Sequence, residues 1–276
     1  MPADFNQQII EEFRAGNGRV GGLFEGARLI LLTTTGARSG RPHTVPLGYL
    51  IDEERRVVIA SAGGSPKHPA WYHNLLAHPR VTVEDGAFTY EADAVVLEGE
   101  ERDRVFARAV EADPGWAEYE AESGRTLPVV ALEFVTGGPN AHALGEGLKA
   151  VHDAFRRELA ILRREVAEAG PRLGAQLRVN CLAFCQGLHH HHTIEDAQTF
   201  PFLGERHPEL AATLARLRAE HVTVQRLLER LQELVSAGDA DPRALLPEVE
   251  RLSAELKAHL DYEEEQLVQV LNGVRP

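Results

Sequence analysis

The chain has 276 residues, of which 43% are hydrophobic, so it is long enough to fill two small cores. Acidic residues outnumber basic ones by 42 to 29, and the net charge of -13 excludes a general basic surface for nucleic acid. The sequence has no secretory signal pattern and no apolar run near the ~20 residues of a membrane span. We therefore expect a cytoplasmic protein without a nucleic-acid partner or an integral membrane segment.

Residues 1–136 predict a β-rich domain. The predicted strands are Arg28–Thr34, Thr44–Ile51, Val57–Ser61, Val81–Glu84, Phe88–Leu97 and Pro128–Val135, and the predicted helices are Asp4–Ala15, Pro69–Ala77 and Glu100–Ala112. The first helix has a narrow apolar stripe, Phe5, Ile9, Ile10 and Phe13, which favours packing onto the sheet over contact with a membrane surface. These elements predict an antiparallel barrel with peripheral helices.

Two glycine-containing turns of this domain have the chemistry of a cofactor site. The segment Thr33–Arg41 joins hydroxyl groups, glycines and two arginines, which suits the binding of phosphate. The glycines of Ser61–Gly64 let the backbone approach a ligand closely. The aromatic pair Trp71 and Tyr72 follows the second turn, and such a pair either packs in the core or stacks on a bound ring.

Residues 19–135 resemble the deazaflavin-dependent nitroreductase family, a group of split β-barrel relatives of flavin-binding reductases. The matching segments are LLTTTGARSGRP, PLGYL, ASAGG, KHPAWYHNLLAHPRVTVE and GRTLPVV, in this order along the chain. The resemblance implies hydride transfer from reduced coenzyme F-420, an 8-hydroxy-5-deazaflavin with a phosphate and a polyglutamate tail. FMN in the same barrel is the alternative cofactor.

Carried over by position, the resemblance implies roles for particular residues. The implied cofactor-binding residues are Arg38, Ser39, Arg41, Ser61, Ala62, Gly63, Gly64 and Trp71. Arg38 would hold the phosphate, Trp71 would lie at the deazaflavin ring, and Tyr119 would line the substrate side. Basic residues that are frequent in the family are replaced by Ala37, His43 and Ala62.

The β pattern ends at Thr136–Asn140, where two glycines and a proline predict a short hinge. Residues 137–141 are thus expected to link the first domain to a second one, residues 142–276. Apolar positions in the second domain advance in steps of three and four along four segments. The predicted fold class is therefore α+β with two domains: a split β-barrel followed by an all-α, up-down four-helix bundle.

Polar residues interrupt the apolar stripe of each predicted bundle helix. They are His152, His191, Glu195, His221, His259 and Glu263. In an up-down bundle all six fall in one layer, and burying them without a cation would cost several kcal/mol each. Nitrogen and oxygen ligands without thiolates favour iron or manganese, and two carboxylates suit a bridged pair, so we predict a di-iron site. His192 or His190 could add a fifth imidazole.

Residues 142–274 resemble a hemerythrin-type (HHE cation-binding) domain. The segments that match its ligand pattern are His152, His191 with Glu195, Glu220-His221, and His259 with Glu263 followed by Glu264. The chain departs from oxygen-carrying members at Gln225, where a second histidine is expected four residues after His221. This departure disfavours simple reversible oxygen carriage and leaves room for an acceptor.

The combination predicts a deazaflavin-dependent oxidoreductase coupled to a non-haem di-iron centre, which reduces a small iron-bound acceptor such as O2, H2O2 or NO. Glu264 and His192 are predicted to move protons. One alternative is an oxygen or iron sensor in which the bundle gates a quinone or nitro reductase. Another is an independent di-iron bundle that scavenges peroxide. The partner is a small molecule in each case, and the sequence is compatible with a homodimer.

Overall fold

The computed structural model describes residues 3–237 and 240–274. The chain divides into two compact units, Met1–Asn140 and Ala141–Pro276. The first unit contains an antiparallel sheet and helices, and the second is helical. The predicted fold class is therefore confirmed. Over the described ranges, no helix combines the length and the apolar character that a membrane crossing requires.

The first unit is built on a curled antiparallel sheet that forms half a barrel. Its strands are β1 Leu29–Thr35, β2 Pro42–Gly48, β3 Leu50–Asp52, β4 Arg55–Ile59, β5 Arg80–Asp85, β6 Phe88–Val96 and β7 Val129–Pro139. Its helices are α1 Ala3–Ala15, α2 Ala70–Ala77, α3 Gly99–Ala112 and α4 Gly115–Ser123. The strands lie in the order β2-β1-β5-β6-β7-β4-β3.

Both faces of the central strands are buried, which explains their continuous apolar sequences. Along β1, Ile30 and Leu32 lie in a cluster with Trp71 of α2. The alternate residues Leu29 and Leu31 belong to a second cluster, as successive side chains of a strand point to opposite faces. That second cluster contains Ile9, Ile10 and Phe13 of α1. The prediction that the α1 stripe packs onto the sheet is thus confirmed.

Two elements of this unit differ from the sequence-based expectation. The predicted strand Thr44–Ile51 is two strands, because β2 pairs with β1 whereas β3 pairs with β4 at the other edge of the sheet. Helix α4 is not predicted from the sequence. Only Ser123 among its nine residues is buried, so no apolar stripe marks the helix.

The predicted hinge at residues 137–141 also differs, because β7 continues to Pro139 and is still paired with β6 at that residue. Gly137 has a φ of +138°, and a β-carbon there would lie 2.4 Å from the Cα of Tyr90. This glycine therefore permits close approach of the two strands near the bulge at Val135. The backbone N–H of Asn140 donates to the carbonyl of Ala87 at 2.7 Å.

The second unit contains four long helices. They are α5 Leu144–Glu168, α6 Ala175–Ile194, α8 Ala211–Ser236 and α9 Pro242–Gly273. Between α6 and α8 lie a π-helical turn, Glu195–Thr199, helix α7, Phe200–Arg206, and a short 3-10 turn, Pro208–Leu210. Helix α6 thus continues beyond the predicted second segment through a widened turn that begins at Glu195.

Two apolar clusters fill the bundle core. The larger contains Leu159, Leu188 and Leu228 among others, and the smaller contains Phe200, Leu217 and Leu267. Along α8 and α9, buried His221, His259 and Glu263 fall between residues of these two clusters. The bundle therefore has a polar layer between two hydrophobic ones.

Candidate metal centre and cofactor turns

The polar layer brings together seven buried or nearly buried side chains that can bind a metal. They form two groups, within each of which one ligand atom per residue lies within 4.8 Å of the others. The first position consists of His152, His191, Glu195 and Glu263, and the second of His192, His221 and His259. All six predicted ligands are thus brought together, and His192 joins them.

Helix geometry explains how two short stretches of sequence supply four of these groups. His191 and Glu195 are one helical turn apart, as are His259 and Glu263, so each pair shares one face of its helix. His192 is the next residue along α6. The π-helical turn starts at Glu195, whose N–H contacts the carbonyls of both His191 and His192. Such widened turns recur at functional sites in proteins.

Each buried carboxylate lies against imidazoles of both positions. Glu195 is 3.2 Å from His191 Nε2 through Oε1 and 3.5 Å from His221 Nε2 through Oε2. Glu263 Oε2 is 3.5 Å from His152 Nε2 and 3.7 Å from His259 Nε2. The two carboxylates therefore lie between the two positions, where they could bridge a pair of ions.

The ligand atoms fit a cation because they have no other partner among the described residues. The atoms that lack a hydrogen bond are Nε2 of His152, His191, His192, His221 and His259, and both carboxylate oxygens of Glu195 and Glu263. A buried polar atom without a partner costs about 1–3 kcal/mol, so this layer destabilises the metal-free bundle. The donor set of imidazoles and carboxylates suits iron or manganese.

Burial shifts the pKa values of the histidines and of the two glutamates in opposite directions. Burial lowers the pKa of five imidazoles, those of His152, His191, His192, His221 and His259. Neutral imidazole is the form that binds metal. Burial raises the pKa of Glu195 and of Glu263, and the nearby Glu263 raises that of Glu195 further. Without a cation the pair of carboxylates thus retains at least one proton at neutral pH, because two like charges cannot be buried together.

Gln225 stands where the family resemblance expects a second histidine of α8, and the structure shows an imidazole from another helix beside His221 instead. The side chain of Gln225 binds His189 Nδ1 at 2.7 Å and donates to Glu229 at 3.0 Å. The ring of His192 instead stacks on that of His221, with centroids 4.1 Å apart. An imidazole from α6 therefore stands beside His221, whereas the family resemblance expected one from α8.

The predicted proton carriers Glu264 and His192 lie in unlike surroundings. Glu264 accepts hydrogen bonds from His152 Nδ1 at 3.0 Å and from Arg156 at 2.6 Å. Although burial opposes them, these bonds lower the pKa of Glu264 to about 2. This carboxylate therefore stays ionised at neutral pH, which favours an orienting role for it. His192 lies among the ligand groups themselves.

In the half-barrel, hydrogen bonds within the turn after β1 and from this turn to α2 hold its backbone in place. Gly36 N–H donates to the Arg41 carbonyl at 2.9 Å, and Asn74 of α2 accepts from Ala37 N–H at 3.0 Å. The predicted phosphate-binding side chains Arg38, Ser39 and Arg41 are exposed on this turn. The arrangement presents exposed guanidinium groups from a well-held backbone.

The second turn contains three consecutive residues with positive φ: Ala62 at +51°, Gly63 at +61° and Gly64 at +76°. Arg125 stabilises this turn. Its guanidinium donates to the carbonyls of Ala60 at 3.0 Å, Ser61 at 3.1 Å and Ser65 at 3.2 Å, and contacts His68 Nδ1 at 2.9 Å. Arg125 lies in the segment GRTLPVV, which matches the family, but the sequence alone did not predict that it stabilises this turn.

The two aromatic residues predicted near the cofactor differ in exposure. Trp71 is 5% exposed and packs in the core of the half-barrel, so a bound ring could touch only a small part of it. Tyr119 is 39% exposed. A β-carbon at Gly64 would lie 3.5 Å from Tyr119 Cδ1, so the unpredicted helix α4 brings this tyrosine to the glycine turn.

A cavity of about 340 Å³ also lies in this unit. Its lining residues are Tyr72, Val96, Leu97, Glu98, Gly99, Arg102, Asp103, Thr126, Leu127 and Pro128. None of the predicted cofactor residues is among them. Tyr72 and Thr126 are direct neighbours in sequence of Trp71 and Arg125.

The curled half-barrel and the histidine–carboxylate layer define a chain that joins a reductase domain to a cation-binding helical domain. Residues 6–133 match the family model of F420H(2)-dependent quinone reductases, and residues 144–271 match that of the hemerythrin HHE cation binding domain. The chain belongs to the F420H(2)-dependent quinone reductase family through its first unit, with a hemerythrin HHE domain as its second. The predicted fusion of these two domains is confirmed, and the first unit is that of an oxidoreductase.

Several known proteins are similar to the first unit. An F420H(2)-dependent quinone reductase of Mycobacterium tuberculosis is 35% identical over 124 residues, which are 44% of this chain and 83% of the relative. A solved F420-H2 dependent reductase is 44% identical and covers 38% of this chain and 94% of its own, with a TM-score of 0.36. A structure described as a domain-swapped dimer is 38% identical and covers 48% of this chain and 100% of its own, with a TM-score of 0.38.

Proposed function

We propose that the chain is an F-420-dependent oxidoreductase whose electrons reach a pair of iron ions in the bundle and then a small acceptor, O2, H2O2 or NO. The observation that carries the proposal is the set of convergent ligand atoms without partners on the same chain as the reductase domain. One reduced deazaflavin gives up a hydride, which amounts to two electrons and one proton, so its oxidation would reduce both ferric ions and release the proton.

In this proposal the bundle residues have separate tasks. His152 and His191 would hold the first ion, and His192, His221 and His259 would hold the second. Glu195 and Glu263 would serve as ligands shared by the two positions, which agrees with their contacts to imidazoles of both. The apolar clusters on either side of the layer limit the access of water to the ligands.

The half-barrel residues bind and orient the cofactor. Arg38 and Arg41, exposed on the first turn, would pair with the phosphate, and the backbone of Ala62–Gly64 would approach it closely. Tyr119, beside Gly64, would line the side from which the acceptor of the hydride approaches. F-420 is favoured over FMN because the family of this unit is F-420-dependent.

A second candidate function is favoured by the quinone named in that family's description. Here a quinone accepts the hydride at the half-barrel, and the bundle senses iron or oxygen and changes the reductase rate without electron transfer. A small molecule is the partner in both cases, and the homodimer remains a prediction.

One anaerobic experiment distinguishes the two candidates. The di-ferric full chain is mixed with stoichiometric reduced F-420, and the ferric and deazaflavin absorption bands are followed together. Loss of the ferric band in step with cofactor oxidation supports coupling of the sites. An unchanged ferric band, with rapid oxidation of the cofactor once quinone is added, rejects coupling and supports the sensor. Glu263→Ala provides the iron-deficient reference, and Glu265→Ala, on the exposed side of α9, is its matched control.

A further inference from the structure

Three carboxylates of the bundle lie next to a ligand in sequence but contact a different ligand in space. Asp196 follows Glu195, Glu220 precedes His221 and Glu264 follows Glu263. Each is more exposed than the ligand beside it: the side-chain exposures are 40% for Asp196, 27% for Glu220 and 15% for Glu264. They form an outer layer around the buried ligands.

The outer carboxylates reach across to imidazoles of neighbouring elements. Glu264 of α9 accepts from Nδ1 of His152 on α5 at 3.0 Å, and Glu220 of α8 accepts from Nδ1 of His259 on α9 at 3.0 Å. Asp196 lies 3.1 Å from Nδ1 of His221, in a contact whose alignment falls short of a hydrogen bond. Since Nδ1 carries the proton in such a bond, Nε2 keeps its lone pair for a metal.

Arginines hold the outer carboxylates in turn. Arg156 donates to Glu264 at 2.6 Å and also binds Asp261, so it ties α5 to α9. Arg216 donates to Glu220 at 2.8 Å, and its guanidinium lies 3.6 Å from the ring centroid of Tyr262. The carboxylates at His152 and His259 therefore have fixed positions before any metal binds.

The outer layer does not extend to α6. Asp153 follows the ligand His152 on α5, as Asp196 and Glu264 follow ligands on their own segments. It pairs with Arg156 at 3.2 Å and with Lys149 at 3.8 Å instead of with an imidazole. Within residues 3–237 and 240–274, His191 and His192 have no such outer carboxylate at Nδ1. The first metal position thus has one imidazole backed by a carboxylate, His152, and the second has two.

We propose that Glu264 and Glu220 are positioning residues that act on different metal positions, Glu264 on the first through His152 and Glu220 on the second through His259. Asp196 adds to the second position through His221. The outer carboxylates would thus add to the difference that two imidazoles at the first position and three at the second already make, although the buried carboxylates between the positions are shared. This proposal rests on the proposed iron pair.

The test uses the full chain loaded with the isotope iron-57, because Mössbauer spectra resolve inequivalent ions as separate doublets. In Glu264→Leu one doublet changes and one ion is lost to chelator about 10- to 100-fold more readily. In Glu220→Leu the other doublet and the other ion respond. The conservative variants Glu264→Gln and Glu220→Gln retain an acceptor for Nδ1, so each shows a smaller change in the same doublet. Glu265→Leu leaves both doublets as in the wild type.

The outcomes separate this proposal from the one on which it rests. If the wild-type chain holds an iron pair but both leucine variants change the same doublet, or change neither, the positioning roles are wrong. The glutamine variants apply the same criterion if a leucine variant does not fold. If the wild-type chain retains no iron at all, the iron pair itself is wrong, and this inference falls with it.

Discussion

The two units place their candidate functional groups in opposite environments. In the bundle the candidate ligand atoms are buried and make no hydrogen bond, so the fold tolerates a cost that a bound cation would remove. In the half-barrel the candidate cofactor residues lie on turns, with Arg38 and Arg41 exposed and the backbone already bonded. The contrast teaches that a metal site can be inferred from energetic misfit, whereas a loop-built cofactor site leaves no such misfit and depends on family membership.

The largest expected effect comes from removing a bridging carboxylate. Glu263→Leu should abolish retention of the iron pair, yet stabilise the metal-free chain by about 1–3 kcal/mol, because a buried carboxylate without a partner is replaced by an apolar group. Iron content by mass spectrometry and urea unfolding followed by circular dichroism at 222 nm measure the two effects. Glu265→Leu is the exposed control. Unchanged iron content in Glu263→Leu would contradict the bridging role.

In the half-barrel we expect a substitution at a candidate cofactor residue to weaken cofactor binding without changing the stability of the unit. Arg38→Ala should weaken F-420 binding by about 1.5–3 kcal/mol if the guanidinium makes a charged hydrogen bond. Since Arg38 is exposed, the urea midpoint should not move. Tryptophan fluorescence reports this unit alone, because both tryptophans of the chain, Trp71 and Trp116, lie in it. Wild-type affinity in the variant would reject the phosphate site.

Arg125→Ala tests whether cofactor binding in the half-barrel depends on the stability of the glycine turn. Arg125 holds the glycine turn through several carbonyls, so its loss should lower the stability of this unit by about 1–3 kcal/mol and weaken F-420 binding as a consequence. Fluorescence-detected unfolding and cofactor titration should therefore change together. Weaker binding at an unchanged urea midpoint would instead indicate that Arg125 touches the cofactor directly.

The pH dependence of stability should differ in sign between the metal-free and metal-loaded bundle. The pKa values of Glu195 and Glu263 are raised by burial, so the stability they contribute is present below their unfolded pKa and is lost as pH rises. Between about pH 7.5 and 9 the lowered histidine pKa values add little slope, because imidazoles with an unfolded pKa of about 6.5 are then largely neutral in both states. The metal-free bundle should lose up to about 1.4 kcal/mol per pH unit for each proton retained.

Metal binding should reverse that trend, because the ligands must be deprotonated to bind and affinity grows with pH. Urea unfolding at 222 nm, with and without iron, would show the opposite slopes. A metal-free bundle whose stability rises over the same range would contradict the shared protons of the glutamate pair.

The smallest effect is expected at a surface ion pair of the sheet. Arg80 contacts Asp93 at 2.8 Å and Glu91 at 3.2 Å, but its side chain is 50% exposed. Exposed pairs of this kind contribute little, so Arg80→Ala should leave the urea midpoint and cofactor affinity unchanged. A clear loss of either would mean that exposure is a poor guide to energetic importance in this unit.

Periodicity in the sequence determined much of the fold and the metal layer. Apolar stripes marked the helices of the bundle, and because i,i+4 spacing places residues on one face, it also predicted that His191 with Glu195 and His259 with Glu263 face inward. Alternating and continuous apolar runs marked the strands of the half-barrel. These features are local, so they can be read from neighbouring residues.

The tertiary structure alone decided which groups meet. His192 joins the ligands because its ring stacks on that of His221 from another helix, and Glu220 and Glu264 each meet an imidazole on another helix. Arg125 reaches a turn some sixty residues away, since its bond to Ser65 spans 60 positions. Such contacts depend on how helices rotate and how loops close, and no periodic pattern encodes them. The sequence therefore determined which faces are buried, and the packing decided which atoms on those faces share a site.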